Sequence, residues 1–333
     1  MPLDPSCVRS VLVVRLDRMG DLLCTTPMLS AIRYLFPKAR LTLVVSPYTA
    51  HLVEGSPVVD EVLVYPRKKY GGTLAEKIKF LKHLKTRQFD LAFGPKARLH
   101  PTQAFLVWYS RAPLRVGRRP KPKALARRFW QGAYNVLLPQ HLPGKHETEA
   151  CLEMLEALGL KPPRLPSWMV LKPEYEQEIA RSLQKEGLSG KPLAGVFFAK
   201  EGPRSIPWSE LVKLLNKLTP LFEMNFVLCC PPGLEAEVKR ACPAYPVIST
   251  PHPQHLAALL KKLKLFITPD GGQAHISAAV RTPPITLFTG GPVHRDTWYP
   301  WLYRDFSYPL QGREINERAI DFVVKRIADI LRS

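Results

Sequence analysis

The chain has 333 residues, 46% hydrophobic and 23% charged, a composition that excludes global disorder and a length that suits two domains, each able to bury a core. Lys and Arg number 48 against 28 Asp and Glu, a net charge of +20, which attracts polyanions such as nucleic acid, anionic lipid or a phosphorylated substrate. No stretch approaches the roughly 18 consecutive apolar residues of a membrane-spanning helix.

The charge is uneven, +13 over residues 1–160 and +7 over 161–333. The first ten residues lack a basic start followed by an apolar run, and Val11 to Val14 is too short for a signal-peptide core. A cytoplasmic protein is expected. The six cysteines (Cys7, Cys24, Cys151, Cys229, Cys230 and Cys242) show no CxxC spacing, so neither a disulfide framework nor a structural zinc site is expected.

Short β-branched runs alternate with helical patterns. Ser10–Val14 reads as a buried strand, and Leu22, Leu29, Ile32 and Leu35 space a helix over Asp21–Phe36 that Pro37 stops. Strands follow at Leu41–Val45 and Glu61–Tyr65, then a basic amphipathic helix at Leu74–Arg87 and a strand at Asp90–Phe93. After the proline-rich stretch Lys161–Pro166 the alternation restarts. Helix Glu174–Glu186 and strand Leu193–Phe198 precede helix Trp208–Leu218 and strand Phe226–Cys229. Helices Leu234–Ala241 and Gln254–Lys262 come next. Strand Leu265–Thr268, helix Gln273–Val280 and strand Pro284–Phe288 follow, with a last helix at Ile315–Leu331. Such alternation predicts two α/β domains with parallel sheets, residues 1–165 and 166–333, with the last helix free to pack back on the first domain. Ligands in such sheets bind beyond the C-terminal ends of the strands, and with two domains the cleft between them is the expected site.

Five segments carry candidate chemistry. In Arg15-Leu-Asp-Arg-Met-Gly-Asp21, between the first strand and its helix, Asp21 is either a helix N-cap or a group aimed into the crevice above the sheet. A single glycine there does not make a dinucleotide loop. In Thr268-Pro-Asp-Gly-Gly-Gln-Ala-His275, Gly271 and Gly272 leave backbone N–H groups open at a helix start, which suits a diphosphate. The plainer alternatives are a turn into a helix and, for His275, a core histidine. Lys200 and Arg204 form either a phosphate clamp or a solvated charged loop. Glu235, at a helix start, is either a ribose ligand or a partner of the helix dipole. Arg115 to Trp130 holds seven basic residues in sixteen and no acidic one, either a mobile loop or a surface for a membrane or an anionic acceptor. No nucleic-acid-binding motif accompanies it, and neither HExxH nor DxD occurs.

Together these segments resemble glycosyltransferase family 9, the ADP-heptose:lipopolysaccharide heptosyltransferases. Val11 to Leu29 looks like the family's N-terminal signature and Phe266 to Ala279 like its C-terminal D-[TG]-G-x-x-H block. Thr286 to Phe288 and Trp298-Tyr-Pro-Trp301 also fit. The resemblance implies a GT-B fold, two Rossmann-like doubly wound domains facing across a cleft. It implies inverting transfer of heptose from ADP-heptose to an inner-core lipopolysaccharide sugar, with Asp21 as general base. Lys200, Arg204, Glu235, Asp270, Gly271, Gly272 and His275 would bind the donor. Arg204 stands where the family has Lys, and Ala199 and Lys200 where it has small hydroxyl residues; both changes keep cations near a diphosphate. Arg98, Arg115, Arg118 and Arg119 are candidate acceptor contacts on the basic first domain. The expected partners are a nucleotide sugar and an anionic glycolipid at the inner membrane surface, with no nucleic acid, no cofactor and no metal required. A GT-B transferase of another nucleotide sugar is the nearest alternative, and a non-catalytic basic module binding nucleic acid or membrane the more distant one.

Overall fold

The computed structural model describes residues 3–96, 100–119, 132–188, 190–202 and 205–332. The chain divides into two compact units, Met1–Val170 and Leu171–Ser333, and every strand pair recorded in them is parallel.

The first unit holds β1 (Ser10–Arg15), α1 (Met19–Leu35), β2 (Arg40–Val45), β3 (Glu61–Val64), α2 (Leu74–Lys85), β4 (Leu91–Phe93), α3 (Pro101–Tyr109), β5 (Leu114–Arg118), β6 (Val136–Leu138) and α4 (Glu147–Glu156). Its sheet order is β3-β2-β1-β4-β5-β6. The central strands β1 and β2 read as apolar runs because both faces are covered. Helix α1 is buried from Leu22 to Leu29 and packs against α4. Pro27 lies inside α1 and cannot donate to the carbonyl of Leu23; the Thr26 hydroxyl does so instead, at 2.8 Å.

The second unit holds α5 (Pro173–Lys185), β7 (Leu193–Phe197), α6 (Trp208–Leu218), β8 (Asn225–Cys229), α7 (Glu235–Ala241), α8 (Pro253–Leu260), β9 (Leu265–Pro269), α9 (Gly272–Ala279), β10 (Pro284–Phe288), α10 (Gly291–Trp298), β11 (Ser307–Pro309) and α11 (Glu317–Arg332). Its sheet order is β11-β10-β9-β7-β8. Helix α11 begins at Glu317, two residues later than the apolar spacing suggests, because the Asn316 side chain just before it accepts from the Ala319 N–H at 3.0 Å. The last helix belongs to its own unit: Ala319, Ile320, Val323 and Ile327 are buried in the core that also holds Leu211, Leu214 and Leu218 of α6.

Helices α3, α4 and α10 and strands β5, β6 and β11 add to the predicted elements. Strands of three to five residues, of which β5 is also interrupted by arginine, carry too little periodicity to read. The supposed basic loop is in part strand, since Arg115 to Arg118 lies in β5; residues 120–131 lie outside the described residues. No described helix is long and apolar enough to cross a membrane.

Candidate active site

In the first unit the chain runs from β1 outward through β2 to β3 and then returns to β4 on the other side of β1, so the β1 and β4 ends flank a topological switch point. Five charged groups meet there. Arg15, the last residue of β1, is fully buried. Its Nη2 donates to Asp21 Oδ1 at 2.8 Å and to Glu147 Oε1 at 2.9 Å. Nη1 donates to the Pro95 carbonyl, and Nε lies 3.3 Å from Asp17. Lys96, just past β4, holds Asp17 from the other side at 2.5 Å.

Burial alone would raise the Asp17 carboxyl; Arg15 and Lys96 outweigh it and hold the group below the ordinary carboxylate range. Burial, only partly opposed by Arg15, pushes the Glu147 carboxyl up. Glu147 Oε2 has no hydrogen-bond partner among the described residues. Burial also drives the Cys151 thiol beside this cluster up to about 12, so it is protonated at neutral pH and no nucleophile.

Asp21 is not the N-cap of α1 but its third residue: the helix begins at Met19. Its Oδ2 accepts from the Arg18 N–H at 3.3 Å, and its side chain is 19% exposed. Of the carboxylates around Arg15 it is the most accessible, since Asp17 and Glu147 are 8% and 2% exposed. Sequence reasoning singled out Asp21 within the segment Arg15–Asp21 and gave no role to Arg15, Asp17, Lys96 or Glu147. An arginine ending an otherwise apolar strand was the available signal for Arg15; nothing local marks Glu147.

Two predicted acceptor contacts are corrected. Arg118 is buried, donating to the Ala150 and Pro139 carbonyls and pairing with Glu153 at 2.5 Å. Arg115 donates to the Ala133 and Ala112 carbonyls at 2.8 and 2.7 Å. Both guanidiniums hold the 112–118 and 132–153 segments together rather than facing a ligand. Replacing Arg118 with Met is expected to lower stability by about 2 kcal/mol while leaving the acceptor KM unchanged, as urea unfolding and initial-rate kinetics will show. Arg119 is exposed, and Arg98 lies outside the described residues.

In the second unit β9, β7 and β8 are neighbours in that order. The residues following their C-terminal ends, Asp270, Lys200 and Glu235, therefore belong to three adjacent loops on one edge of the sheet, with strands about 4.8 Å apart. Lys200 is exposed. Its loop is pinned by Trp208, whose indole Nε1 donates to the Ala199 carbonyl at 2.8 Å and whose N–H donates to Glu201 at 3.0 Å. Arg204 lies outside the described residues.

Glu235 opens α7. Its Oε2 accepts from the Gly233 N–H at 2.8 Å and its Oε1 from the Ser249 hydroxyl at 2.9 Å. Backbone N–H groups, then Ser249, hold its carboxyl below the ordinary range, so it is an anchored anion with further lone pairs to offer. Asp270 Oδ2 meets His294 Nε2 at 2.7 Å; His294, on α10, is a residue the sequence reading missed. Gly271 is extended and Gly272 begins α9. A side chain at Gly271 would run into that of Gln273, whose amide donates to the Pro269 carbonyl. His275 is buried, edge-on to Trp298 with ring centroids 6.5 Å apart, so it is placed as a packed residue of α9. No cluster of three or more His, Cys, Asp or Glu among the described residues has metal-holding geometry.

The comparisons with known proteins agree with this architecture. The sequence profile of glycosyltransferase family 9 (heptosyltransferase) matches residues 207–307. Lipopolysaccharide heptosyltransferase 3 of Escherichia coli is 25% identical over 295 residues, covering 85% of this chain and 82% of that protein. Among solved structures, a glycosyltransferase family 9 protein from Veillonella parvula superposes with a TM-score of 0.79 at 18% identity, covering 98% of each chain. E. coli heptosyltransferase WaaC, solved with ADP, superposes at 0.73 and 19% identity, covering 96% of this chain and 99% of that one. Two parallel α/β units of this kind make up the GT-B fold. The chain is similar to glycosyltransferase family 9 proteins, through its second unit in the family profile and over most of its length in the curated relative.

Proposed function

We propose that the chain transfers a heptose from ADP-heptose to an inner-core lipopolysaccharide sugar, inverting the anomeric centre. The observation that carries the mechanism is the placement of Asp21 at the switch point of the first sheet, the most accessible carboxylate around a buried arginine. In this reading Asp21 accepts the proton of an acceptor hydroxyl as its oxygen attacks the anomeric carbon. The bond from that carbon to the diphosphate oxygen breaks, and ADP leaves with the electron pair. A single displacement needs one base and a means of stabilising the departing diphosphate.

Arg15 orients Asp21 without monopolising it, because the same guanidinium is shared with Asp17 and Glu147. On the second sheet, Lys200, Arg204 and the open N–H groups at Gly271-Gly272 receive the diphosphate. Asp270 orients the sugar with His294 beside it, and Glu235 holds the ribose. His275 supports the phosphate turn from beneath. Arg119 faces the anionic acceptor, a glycolipid at the cytoplasmic surface of the inner membrane, so the protein works there as a peripheral enzyme. No cofactor or metal takes part in this scheme.

Support for the donor comes from the relatives: the E. coli proteins are a lipopolysaccharide heptosyltransferase and a heptosyltransferase solved with ADP. The test is calorimetric titration with ADP, UDP, GDP and dTDP at fixed salt. ADP is expected to bind selectively, and Glu235→Ala to weaken it about tenfold, the worth of one charge-assisted hydrogen bond. Tighter binding of another nucleotide would overturn the donor assignment and leave the fold class intact.

A further inference from the structure

Helix α2 carries none of the residues assigned above, and its outer face is built unlike an ordinary solvated one. Phe80 and Leu84, four residues apart, are buried and fasten it to the first unit. On the outward side Leu74 is 73% exposed and Ile78 47% exposed. Leu74, Ile78, Lys82 and Lys85 follow one another at helical spacing on one stripe, and Lys79 lies beside it; all three lysines are exposed. None of them has an ion-pair partner among the described residues. The one acidic residue of the helix, Glu76, is tied to its start, accepting from the Thr73 N–H at 2.7 Å and the Thr73 hydroxyl at 2.9 Å.

The preceding turn continues the pattern. Lys68, Lys69 and Tyr70 are exposed, Lys69 Nζ sits 5.6 Å from the Tyr70 ring centroid, and Tyr48 stacks parallel to Tyr70. A depression of about 470 Å³, lined by Pro47, Val64, Pro66, Tyr70, Lys79 and Phe80 among others, joins turn and helix. Two large aliphatic side chains held out of the fold, ringed by unpaired lysines and flanked by tyrosines, match the chemistry of a bilayer interface. Apolar tips enter the acyl boundary, ammonium groups meet anionic headgroups, and tyrosines sit at the headgroup level.

We propose that α2 and the turn at Lys68–Tyr70 form a membrane-docking surface for bilayers bearing anionic lipid. This deepens the acceptor reading and rests on it only for the purpose of docking; the binding itself is a property of the surface. Each lysine near such a bilayer adds about fivefold to partitioning.

The test is co-sedimentation of the full chain with vesicles of phosphatidylcholine alone and of phosphatidylcholine with phosphatidylglycerol, without donor or acceptor. The variants are L74Q/I78Q and K79Q/K82Q/K85Q, all at exposed positions that leave Phe80 and Leu84 in place. The parent is expected to bind only the anionic vesicles, and each variant to lose at least about tenfold in partitioning. Both variants should keep the parent's ADP affinity and its turnover on a deacylated, soluble acceptor. That control separates loss of docking from misfolding and from failure of the donor or acceptor assignment. The proposal is overturned if either variant binds vesicles as the parent does or if the parent binds neutral vesicles equally well. It is equally overturned if L74Q/I78Q abolishes self-association of a parent that ignores vesicles, which would make this face a contact between copies of the chain.

Discussion

Asp21→Asn is expected to lower kcat by about 10²- to 10⁴-fold, the usual worth of a positioned base, with ADP affinity unchanged within about twofold. The substitution is close to isosteric. The amide oxygen still accepts from Arg15 Nη2, and α1 keeps its first turn because the Arg18 carbonyl bonds to the Leu22 N–H regardless of residue 21. What is lost is the capacity to take a proton. Because the base acts only as the hydroxyl attacks, the loss should appear in kcat and in kcat/KM alike. Single-turnover kinetics with and without the substitution will check this. A variant with turnover within about tenfold of the parent would reduce Asp21 to a helix-start residue whose carboxylate interacts with the helix dipole.

Arg15→Met should give the largest stability effect in the molecule, a loss of about 3–5 kcal/mol. The side chain is fully buried and is the common cation of Asp17, Asp21 and Glu147. Removing it leaves three carboxylates around one apolar side chain, with Lys96 reaching only Asp17. The pH dependence has a definite sign. Without Arg15 the folded-state pKa values of Asp17 and Glu147 rise above their unfolded values, so the folded variant binds more protons than the unfolded chain. Its stability must then increase as pH falls toward the ordinary carboxylate range. The parent should behave oppositely through Asp17: that carboxyl is held low in the folded state, and its contribution is present above the ordinary carboxylate pKa and lost as pH falls through the depressed one. Between pH 7.5 and 5.5 the variant's urea midpoint should therefore rise toward that of the parent, whose Asp17 contribution is lost only below the ordinary carboxylate range. A parallel fall of both would show that Arg15 contributes packing rather than charge.

What could be read from the sequence follows from what is local. Strands β1, β2, β7 and β9 are buried on both faces, and buried parallel strands announce themselves as continuous apolar runs. Asp21, Glu235 and Asp270 sit immediately beyond such runs or at helix starts, so their places at the sheet edges were legible. The Arg15 cluster was not, because Arg15 and Glu147 are 132 positions apart and only the packing of α4 on α1 brings them together. The same limit explains His294, which reaches Asp270 across 24 positions through the turn after β10. It also explains Arg115 and Arg118. In sequence they belong to a run of basic residues; in the fold they end in carbonyl and carboxylate partners that no spacing rule connects to them. Charge density marks a surface only where the lysines and arginines lack internal partners, as on α2.

The most direct test of the central claim is transfer itself. The purified protein, ADP-heptose and a lipopolysaccharide core lacking its heptoses are incubated together, and both ADP release and the mass of the core are followed. The account predicts ADP release that depends on the core, a core heavier by one heptose unit with an inverted linkage, and neither product with Asp21→Asn. ADP-heptose left intact in the presence of the core, while another nucleotide sugar is consumed, would contradict it.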